Sequence, residues 1–345
     1  MRGGNQSLSL RFGPGYVRLL LAFLVVAYHY TPLRTGPFAV ACFFVLSGYW
    51  ITRMWTTTYQ HYPHPKALFL LSRWLRMAPM LAICTTAALL VSQPTAKPTA
   101  GWLIRQAVIA GGTGTFVPLA PAWSLDVEMQ LYIAFICVAP WILARGVKTN
   151  RAGLLACVWG VATILYSFLQ GDIIKPWFWI WMPAFLAGAW IYTSNYRATT
   201  AHLCVSSILI FIAITVVICA PQLHGYLWHQ KSSDAHVPWL GSYHSTADLL
   251  MTACILPWLA SNLTVTDTKA ATFAGRLSFP LYLWHWIPHN ILAIETQRTG
   301  FSRWETTTVA IVASLAGAIF LTGCVDSKCE QFRRYWIKRL SNTSI

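Results

Sequence analysis

This chain of 345 residues is poor in charged residues and poorest in acidic ones. Asp, Glu, Lys and Arg make up 10% of it. Soluble domains carry about 25%, so the composition excludes an ordinary soluble fold. The formal net charge is +15, but the basic residues lie in loops between apolar runs and share no face. This distribution argues against nucleic acid as a partner and favours contact with anionic lipid.

The sequence also lacks a cysteine framework and any stretch typical of a second domain. The nine cysteines lie within or beside apolar runs, and Cys324 and Cys329, the pair nearest to a metal-binding spacing, have no histidine nearby. Buried free thiols are therefore expected. We find no internal repeat, so residues 1–345 are expected to form one domain without a soluble part. No cleaved signal is predicted, because residues 1–15 are polar and no cleavage site follows the first apolar run.

The chain is rich in long apolar runs, and its mean hydropathy is +0.51. Ten apolar runs are long enough to cross a bilayer, which predicts an all-α integral membrane protein with ten transmembrane helices in one bundle. If the N-terminus is inside, the inner loops hold more than twice as many Lys and Arg residues as the outer loops, which predicts two cytoplasmic termini. The predicted spans are 16–34, 38–57, 75–93, 123–144, 152–170, 177–193, 201–220, 246–262, 277–295 and 306–324.

The first apolar run contains two ionisable residues, Arg18 near its start and His29 near its end. Such groups are costly in hydrocarbon, so they usually face a protein interior or a wet cavity and often mark function. In a helix with a 1.5 Å rise per residue they lie roughly 16 Å apart. The run therefore combines a fixed cation with a titratable base deeper in the membrane.

Two further segments each allow a structural and a functional interpretation. Ser47 and Gly48 place a small polar step in the second run, which suits either close helix packing or a cavity wall. Arg73 and Arg76 lie three residues apart on one helix face. They suit either a juxtamembrane anchor or a phosphate clamp, because the guanidinium fork matches phosphate oxygens. Arg53 lies on the same predicted side of the membrane.

Acidic residues are scarce, so the pair that enters the fourth run is informative. Asp126 is placed like a wet residue at a helix start, whereas Glu128 lies about one turn inside. We expect Glu128 to pair with an arginine or to orient a histidine. Trp123, just before them, suits an interfacial belt or a cavity wall. Asp248, near the outer start of the eighth run, is another isolated polar group.

Two histidines lie in the ninth run, His285 in its middle and His289 four residues later. This i, i+4 spacing can hold zinc. However, residue 286 is Trp, so the Glu of a metalloprotease helix is absent. We therefore predict no metal site and interpret His289 as a hydrogen-bonded structural residue.

Taken in order along the chain, these segments resemble the acyltransferase 3 family of multi-pass membrane O-acyltransferases. The resemblance rests on Arg18 followed at eleven residues by His29 and on four short segments. It covers most of the chain. The chain is similar to the stand-alone type of the family, without an added extracytoplasmic hydrolase-like domain. The segments are FFVLSG at 43–48, RWLRMAP at 73–79, WSLDVE at 123–128 and LYLWH at 281–285.

The resemblance implies transfer of an acyl group, usually acetyl, from acyl-coenzyme A to a hydroxyl of a cell-envelope carbohydrate or lipid-linked sugar. It implies a bacterial inner membrane and a role such as exopolysaccharide biosynthesis, with no permanently bound cofactor. It carries Arg18, His29 and Glu128 over as catalytic residues. His29 acts either as a general base or as an acyl carrier. Longer acyl and succinyl donors remain open alternatives to acetyl.

The remaining candidate residues divide between the donor and the acceptor. We expect Arg53, Arg73 and Arg76 to bind the donor. The residues expected to line the substrate cavity are Ser47, Trp123, Asp248 and His285.

A polytopic transporter or exporter is the alternative class of protein, because carriers also place polar residues in broken helices, although the chain shows no two-halves symmetry.

Overall fold

A computed structural model of the protein shows an all-helical architecture in the part of the chain that it describes. That part contains no β-strand, and a single antiparallel bridge joins Leu33 to Trp228. The described residues are 12–92, 98–110, 117–143, 150–170, 178–228, 244–299 and 302–342.

Thirteen α-helices follow one another along the described residues, and a π-helical segment, Thr322–Asp326, joins the last two. Short 3₁₀ turns precede or follow several of them. The helices are α1 (Pro14–Tyr30), α2 (Gly36–Thr57), α3 (Pro65–Ser92), α4 (Ala100–Ala107), α5 (Trp123–Ile142), α6 (Arg151–Gln170), α7 (Phe178–Thr193), α8 (Thr200–Cys219), α9 (His244–Leu263), α10 (Lys269–Trp284), α11 (Trp286–Thr299), α12 (Arg303–Leu321) and α13 (Ser327–Asn342).

Each predicted apolar run coincides with helix over most of its length, but ten spans and two cytoplasmic termini are not confirmed. Helix α1 and the Arg151–Tyr166 part of α6 are apolar but shorter than a usual span. Several basic residues on which the predicted orientation depends, including those of 1–11, lie outside the described residues. Six described stretches are long and apolar enough to cross a membrane: Gly36–His61, Pro65–Val91, Ala120–Ile142, Thr200–Cys219, Thr246–Leu263 and Trp304–Asn342.

The ninth predicted span, 277–295, is two helices rather than one. Helix α10 ends at Trp284 and α11 begins at Trp286, so His285 lies at the junction. Pro288 has no N–H to donate to the carbonyl four residues earlier, which weakens the helix at this point. The break leaves His285 fully buried, at 0% exposure.

Glycines allow a close contact between helices where α2 crosses α7. A side chain at Gly48 would collide with the carbonyl oxygen of Phe185, and one at Gly188 with that of Val45. The two backbones therefore touch, as small residues permit between membrane helices. The packing interpretation of Gly48 is confirmed, and its neighbour Ser47 faces a different environment.

Two clusters of buried apolar side chains form the core. The larger cluster includes Phe69 of α3, Phe135 of α5 and Phe185 of α7. The smaller cluster joins α1, α10 and α12 through residues such as Val26, Leu281 and Ala318. One side chain of α2, Phe43, packs against both clusters and so lies at their boundary.

Candidate active site

A cavity of about 950 Å³ lies among α1, α2, α3, α5, α10 and α13. Small-molecule sites usually measure about 300–1,000 Å³, so the cavity has room for a large ligand. Its walls come from helices far apart in the sequence, which explains why no single motif reveals it. Of the ten predicted site residues, five line it: Arg18, Ser47, Arg73, Arg76 and Glu128.

Arginine dominates the charged part of the lining. Six arginines face four carboxylates, which leaves the lining with a net positive charge. Because charges interact strongly where water is partly excluded, such a cavity favours an anionic ligand. The arginines are Arg18, Arg73, Arg76, Arg276, Arg333 and Arg334, and the acids are Glu128, Asp267, Asp326 and Glu330.

The two arginines of the RWLR segment have different environments. Arg76 forms an ion pair with Asp326, a carboxylate that is 3% exposed and also accepts from Nε of Arg276 at 3.3 Å. Nε of Arg73 is buried and has no hydrogen-bond partner among the described residues. Arg18 presents an exposed side chain to the cavity. Arg73 and Arg18 are therefore the guanidinium groups most available to a ligand, whereas Arg76 is held by the protein.

The carboxylate of Glu128 is held by two hydroxyl groups. Ser47 of α2 donates to Oε1 of Glu128 at 2.5 Å, and the hydroxyl of Tyr132, one turn along α5, donates to the same oxygen. The Ser47 and Tyr132 oxygens lie 3.2 Å apart. Tyr132 is not among the predicted site residues, although its i, i+4 spacing from Glu128 is a local signal that permits this contact. The three side chains form a connected polar group on the cavity wall.

His29 lies outside that lining, half-buried near the end of α1 and surrounded by rings. Its ring centroid is 5.2 Å from that of His285, 5.0 Å from that of Trp286 and 6.1 Å from that of His289. The His285 ring lies 6.4 Å from Tyr282, which does line the cavity. His29 is thus one aromatic layer beyond the cavity wall. Glu128 lines the cavity whereas His29 does not line it among the described residues, so the two predicted catalytic residues do not share this lining.

His285 is fully buried behind Tyr282 and is not among the described residues that line the cavity. Its Nδ1 lies 3.1 Å from the carbonyl oxygen of Leu281, so this nitrogen carries the proton and donates it. Nε2 then has a free lone pair, and it is buried without a partner among the described residues. Such a buried acceptor is unusual, and the ring that carries it lies 5.2 Å from that of His29.

Asp248 is also placed elsewhere than expected, in an ion pair that is remote from the cavity lining. Arg34 donates to Oδ1 at 3.2 Å and to Oδ2 at 3.0 Å, and both side chains are nearly buried. This fork geometry satisfies both carboxylate oxygens. The sequence could not reveal the pairing, because the two residues are 214 positions apart and meet only through the packing of α9 against α2.

Two further candidates lie near the cavity without lining it. Arg53 is exposed at the end of α2, and its guanidinium carbon lies 5.1 Å from the ring centroid of Trp50, a lining residue. Trp123 is half-buried, with its ring centroid 5.9 Å from that of Trp181. Arg53 therefore contacts the cavity wall through the ring of Trp50, as cation–π contacts do, whereas the ring that Trp123 contacts is not one of the described lining residues.

The chain is similar to several proteins of Staphylococcus aureus. Relatives of 24% identity occur in strains MSSA476, MRSA252 and MW2, and each is named, by inference, as an O-acetyltransferase. Each alignment of 329 residues covers 82% of this chain and 52% of the relative, so the chain spans about half the length of the curated relatives it matches. No solved structure matches it.

The profile of the acyltransferase 3 family, described as an acyltransferase domain, matches residues 12–323. This range contains all the sequence-predicted site residues, from Arg18 to His285. It also contains most of the cavity lining and the whole ring cluster around His29. The match covers nine tenths of the chain, and with the apolar helices it shows that this protein belongs to the acyltransferase 3 family of membrane acyltransferases.

Proposed function

We propose that this protein is an O-acetyltransferase that moves the acetyl group of acetyl-coenzyme A to a hydroxyl of a cell-envelope carbohydrate or lipid-linked sugar. One observation carries the proposal: ring contacts through His285 connect Tyr282, in the wall of a large, arginine-lined cavity, to His29 inside an apolar bundle. The inferred activity in the names of the S. aureus relatives supports the same reaction.

Donor binding is assigned to the cavity because its size and charge suit a long ligand with phosphate groups. Arg73 and Arg18 offer guanidinium groups to phosphate oxygens, and such pairs are often bidentate. Arg276 and Arg334 add positive charge to the same lining, and Arg53 adds it beside Trp50. In this assignment Arg76 supports the site by fixing α13 through Asp326.

The proposed chemistry begins with the poor nucleophilicity of a sugar hydroxyl at neutral pH. His29, as neutral imidazole, accepts the hydroxyl proton while the oxygen attacks the acyl carbon. The carbon–sulfur bond then breaks, and the thiolate leaves with a proton returned by the imidazole. In the second route, a ring nitrogen of His29 attacks the acyl carbon, the carbon–sulfur bond breaks, and coenzyme A leaves as the thiol with the proton of the other ring nitrogen. The sugar hydroxyl then attacks the acyl-imidazole, the carbon–nitrogen bond breaks, and the hydroxyl proton returns His29 to neutral imidazole. Both routes need the acyl group to lie against His29.

Glu128 acts in the donor cavity in this proposal, and not directly on His29. Its carboxylate attracts the guanidinium of Arg18, and Ser47 and Tyr132 fix its direction. A cation held beside the thioester stabilises the negative charge that develops on the acyl oxygen. Glu128 is therefore proposed to position Arg18 for the reaction.

The proposed orientation places the donor end of the cavity in the cytoplasm. The lining near this end comes from the starts of α1 and α3 and from α13, segments with many of the basic residues that stay inside. His29 lies toward the other end of α1. The acetyl group would then be taken from the cytoplasm and delivered toward the outer side of a bacterial inner membrane.

The test uses the full chain in native membrane vesicles, where an acceptor is present. Acetyl-coenzyme A labelled in the acetyl group is added, and label is counted in the carbohydrate and lipid-linked sugar fractions. We expect transfer that depends on expression of the protein and is lost with His29→Ala. Transfer that is equal in vesicles without the protein, at confirmed expression in the matched sample, would overturn the proposal.

A further inference from the structure

We propose that Phe43 and Tyr282 form a partition between the donor cavity and His29, and that Phe43 limits the acyl group that can pass to two carbons. The inference rests on the proposed function, since it concerns the same site. It names a specificity-determining side chain and selects acetyl over longer acyl and succinyl donors.

The two rings meet in the wall of the cavity. Phe43 and Tyr282 both line it, and their ring centroids lie 6.1 Å apart at an interplanar angle of 74°. This edge-to-face arrangement is favourable for aromatic rings and closes the space between them. A ligand in the cavity therefore meets this pair before it reaches the ring cluster behind.

His29 lies directly behind the partition. The Tyr282 ring is 6.4 Å from the His285 ring, and His285 is 5.2 Å from His29. Trp286 closes the far side at 5.0 Å from His29. Because His29 does not line the cavity among the described residues, an acyl group bound there reaches the imidazole by passing these aromatic side chains.

The two members of the partition differ in mobility. Tyr282 is 5% exposed, and its hydroxyl lies 2.6 Å from Ser124 Oγ and donates to the carbonyl oxygen of Pro121 at 3.0 Å. Phe43 has no polar group to anchor it and is half-buried. Phe43 is thus the side chain that yields when an acyl group enters, while Tyr282 stays in place.

Packing around Phe43 explains why the space that it yields is small. Its ring packs against both apolar clusters, with Val26 and Leu281 in the smaller one. Close-packed interiors resist extra methylene groups, because neighbouring side chains must leave their preferred rotamers. An acetyl group needs a small shift of the ring, whereas a butyryl group needs two further methylenes of space.

The expected discrimination follows from this packing. One extra methylene in an apolar pocket changes kcat/KM by about 10–200-fold. Acetyl is thus expected to exceed butyryl by roughly 100-fold or more in the wild type. Replacing the ring by a methyl group opens the partition, so Phe43→Ala is expected to reduce that ratio at least tenfold, with Phe43→Leu between the two.

The experiment measures transfer of label from acetyl-, propionyl- and butyryl-coenzyme A to the carbohydrate fraction in native membrane vesicles. The wild type, Phe43→Ala and Phe43→Leu are compared at equal expression. Met54→Ala is the matched control, because Met54 is another half-buried apolar lining residue of α2, eleven positions away. It is expected to leave the acetyl-to-butyryl ratio within about twofold of the wild type, as a change at a distant independent site does.

Each outcome decides the inference. A fall in the ratio with both Phe43 variants, but not with Met54→Ala, supports the partition. An unchanged ratio in a Phe43 variant that still transfers acetyl overturns it, and so does an equal fall with Met54→Ala. If Phe43→Ala fails to fold, Phe43→Leu decides by the same criterion. A wild type that transfers no acyl group from any donor contradicts the proposed function itself, and the partition with it.

Discussion

At the scale of single residues, the environment of His29 explains why one imidazole is assigned the chemical step. The ring lies within 5.2 Å, between centroids, of both His285 and Trp286, in a region otherwise built from apolar side chains. A half-buried imidazole in such a place favours function over a structural role, because polar groups in a bilayer are costly.

The first prediction is that His29→Ala abolishes acetyl transfer while the protein still folds. Loss of a positioned base typically lowers kcat by about 10²–10⁴-fold. Transfer is measured per folded molecule, with the folded fraction taken from the elution profile in detergent. The control is His61→Ala, which changes an exposed histidine outside the site. Near-normal transfer by well-folded His29→Ala would remove His29 from the mechanism.

The second prediction separates the two arginines of the RWLR segment. Arg73→Gln should raise the donor KM about tenfold or more with a smaller change in kcat, because it removes binding common to the ground and transition states. Arg73→Lys should restore only part of the affinity, since it lacks the planar fork. Kinetics with varied acetyl-coenzyme A measure both effects.

Arg76→Gln is the matched comparison, and its effect should be on stability. Asp326 would lose one of its two partners and keep only Arg276. Removing one partner of a buried pair costs up to about 3–5 kcal/mol, and the remaining arginine should reduce this. The midpoint of thermal inactivation is therefore expected to fall while the donor KM of the surviving enzyme stays close to that of the wild type. The opposite assignment of KM and stability effects would contradict the structure.

The third prediction concerns the hydroxyl groups that hold Glu128. Glu128→Gln keeps the size of the side chain but removes its charge, so kcat should fall strongly with little loss of folded protein. Tyr132→Phe removes one of the two donors to Oε1 and should lower kcat less. The two changes should be non-additive, with a coupling of about 0.5–3 kcal/mol, because both act on one carboxylate. Additive losses in the double mutant would show that Tyr132 does not act through Glu128.

At the scale of helices, the α2–α7 contact sets the position of Ser47. Gly48 touches α7, so the preceding residue, Ser47, is turned toward the cavity, where it meets Glu128. Two adjacent residues thus have different roles: Gly48 allows the helices to pack, and Ser47 contacts Glu128 in the site. The two interpretations of this segment do not compete, because adjacent residues of a helix point in different directions.

The fourth prediction tests this contact with glycine substitutions. Gly48→Ala and Gly188→Ala would each place a methyl group against a carbonyl oxygen of the partner helix, so both should lower the thermal midpoint and the yield sharply. Gly160→Ala is the control, because its methyl group would meet only a Pro183 side-chain atom at 3.7 Å. It should be neutral, or stabilising by up to about 1 kcal/mol. Equal tolerance at all three positions would contradict the close approach of α2 and α7.

The sequence predicts the positions of the helices better than it predicts which side chains contact each other. Hydropathy locates the helices, because a run of apolar residues has no other stable form in a membrane. The i, i+4 pair of Glu128 and Tyr132 is local and readable in the same way. The partners of Arg76 and Asp248 are 250 and 214 positions away, so only the packed bundle determines them. For the same reason, the sequence could not show that Glu128 lines the cavity while His29 lies behind its wall.

At the scale of the whole molecule, the bundle contains a charged cavity and, behind its wall, the ring cluster around His29. The arginines of the cavity lining come from the start of α1, from the first half of α3 and from α10 and α13, whereas His29 lies at the far end of α1. In the proposed function, the acyl group therefore travels along the bundle. The phosphate groups of the donor then stay away from the apolar region where the transfer is proposed to occur.

The most direct test of the central claim is a cryo-electron microscopy structure of the full chain in nanodiscs with a non-hydrolysable thioether analogue of acetyl-coenzyme A. The account predicts phosphate density beside Arg73 and Arg18, and the acyl end of the analogue against Phe43 and Tyr282, on the path to His29. Density for the analogue at another place, or an empty cavity at a saturating concentration of the analogue, would contradict it.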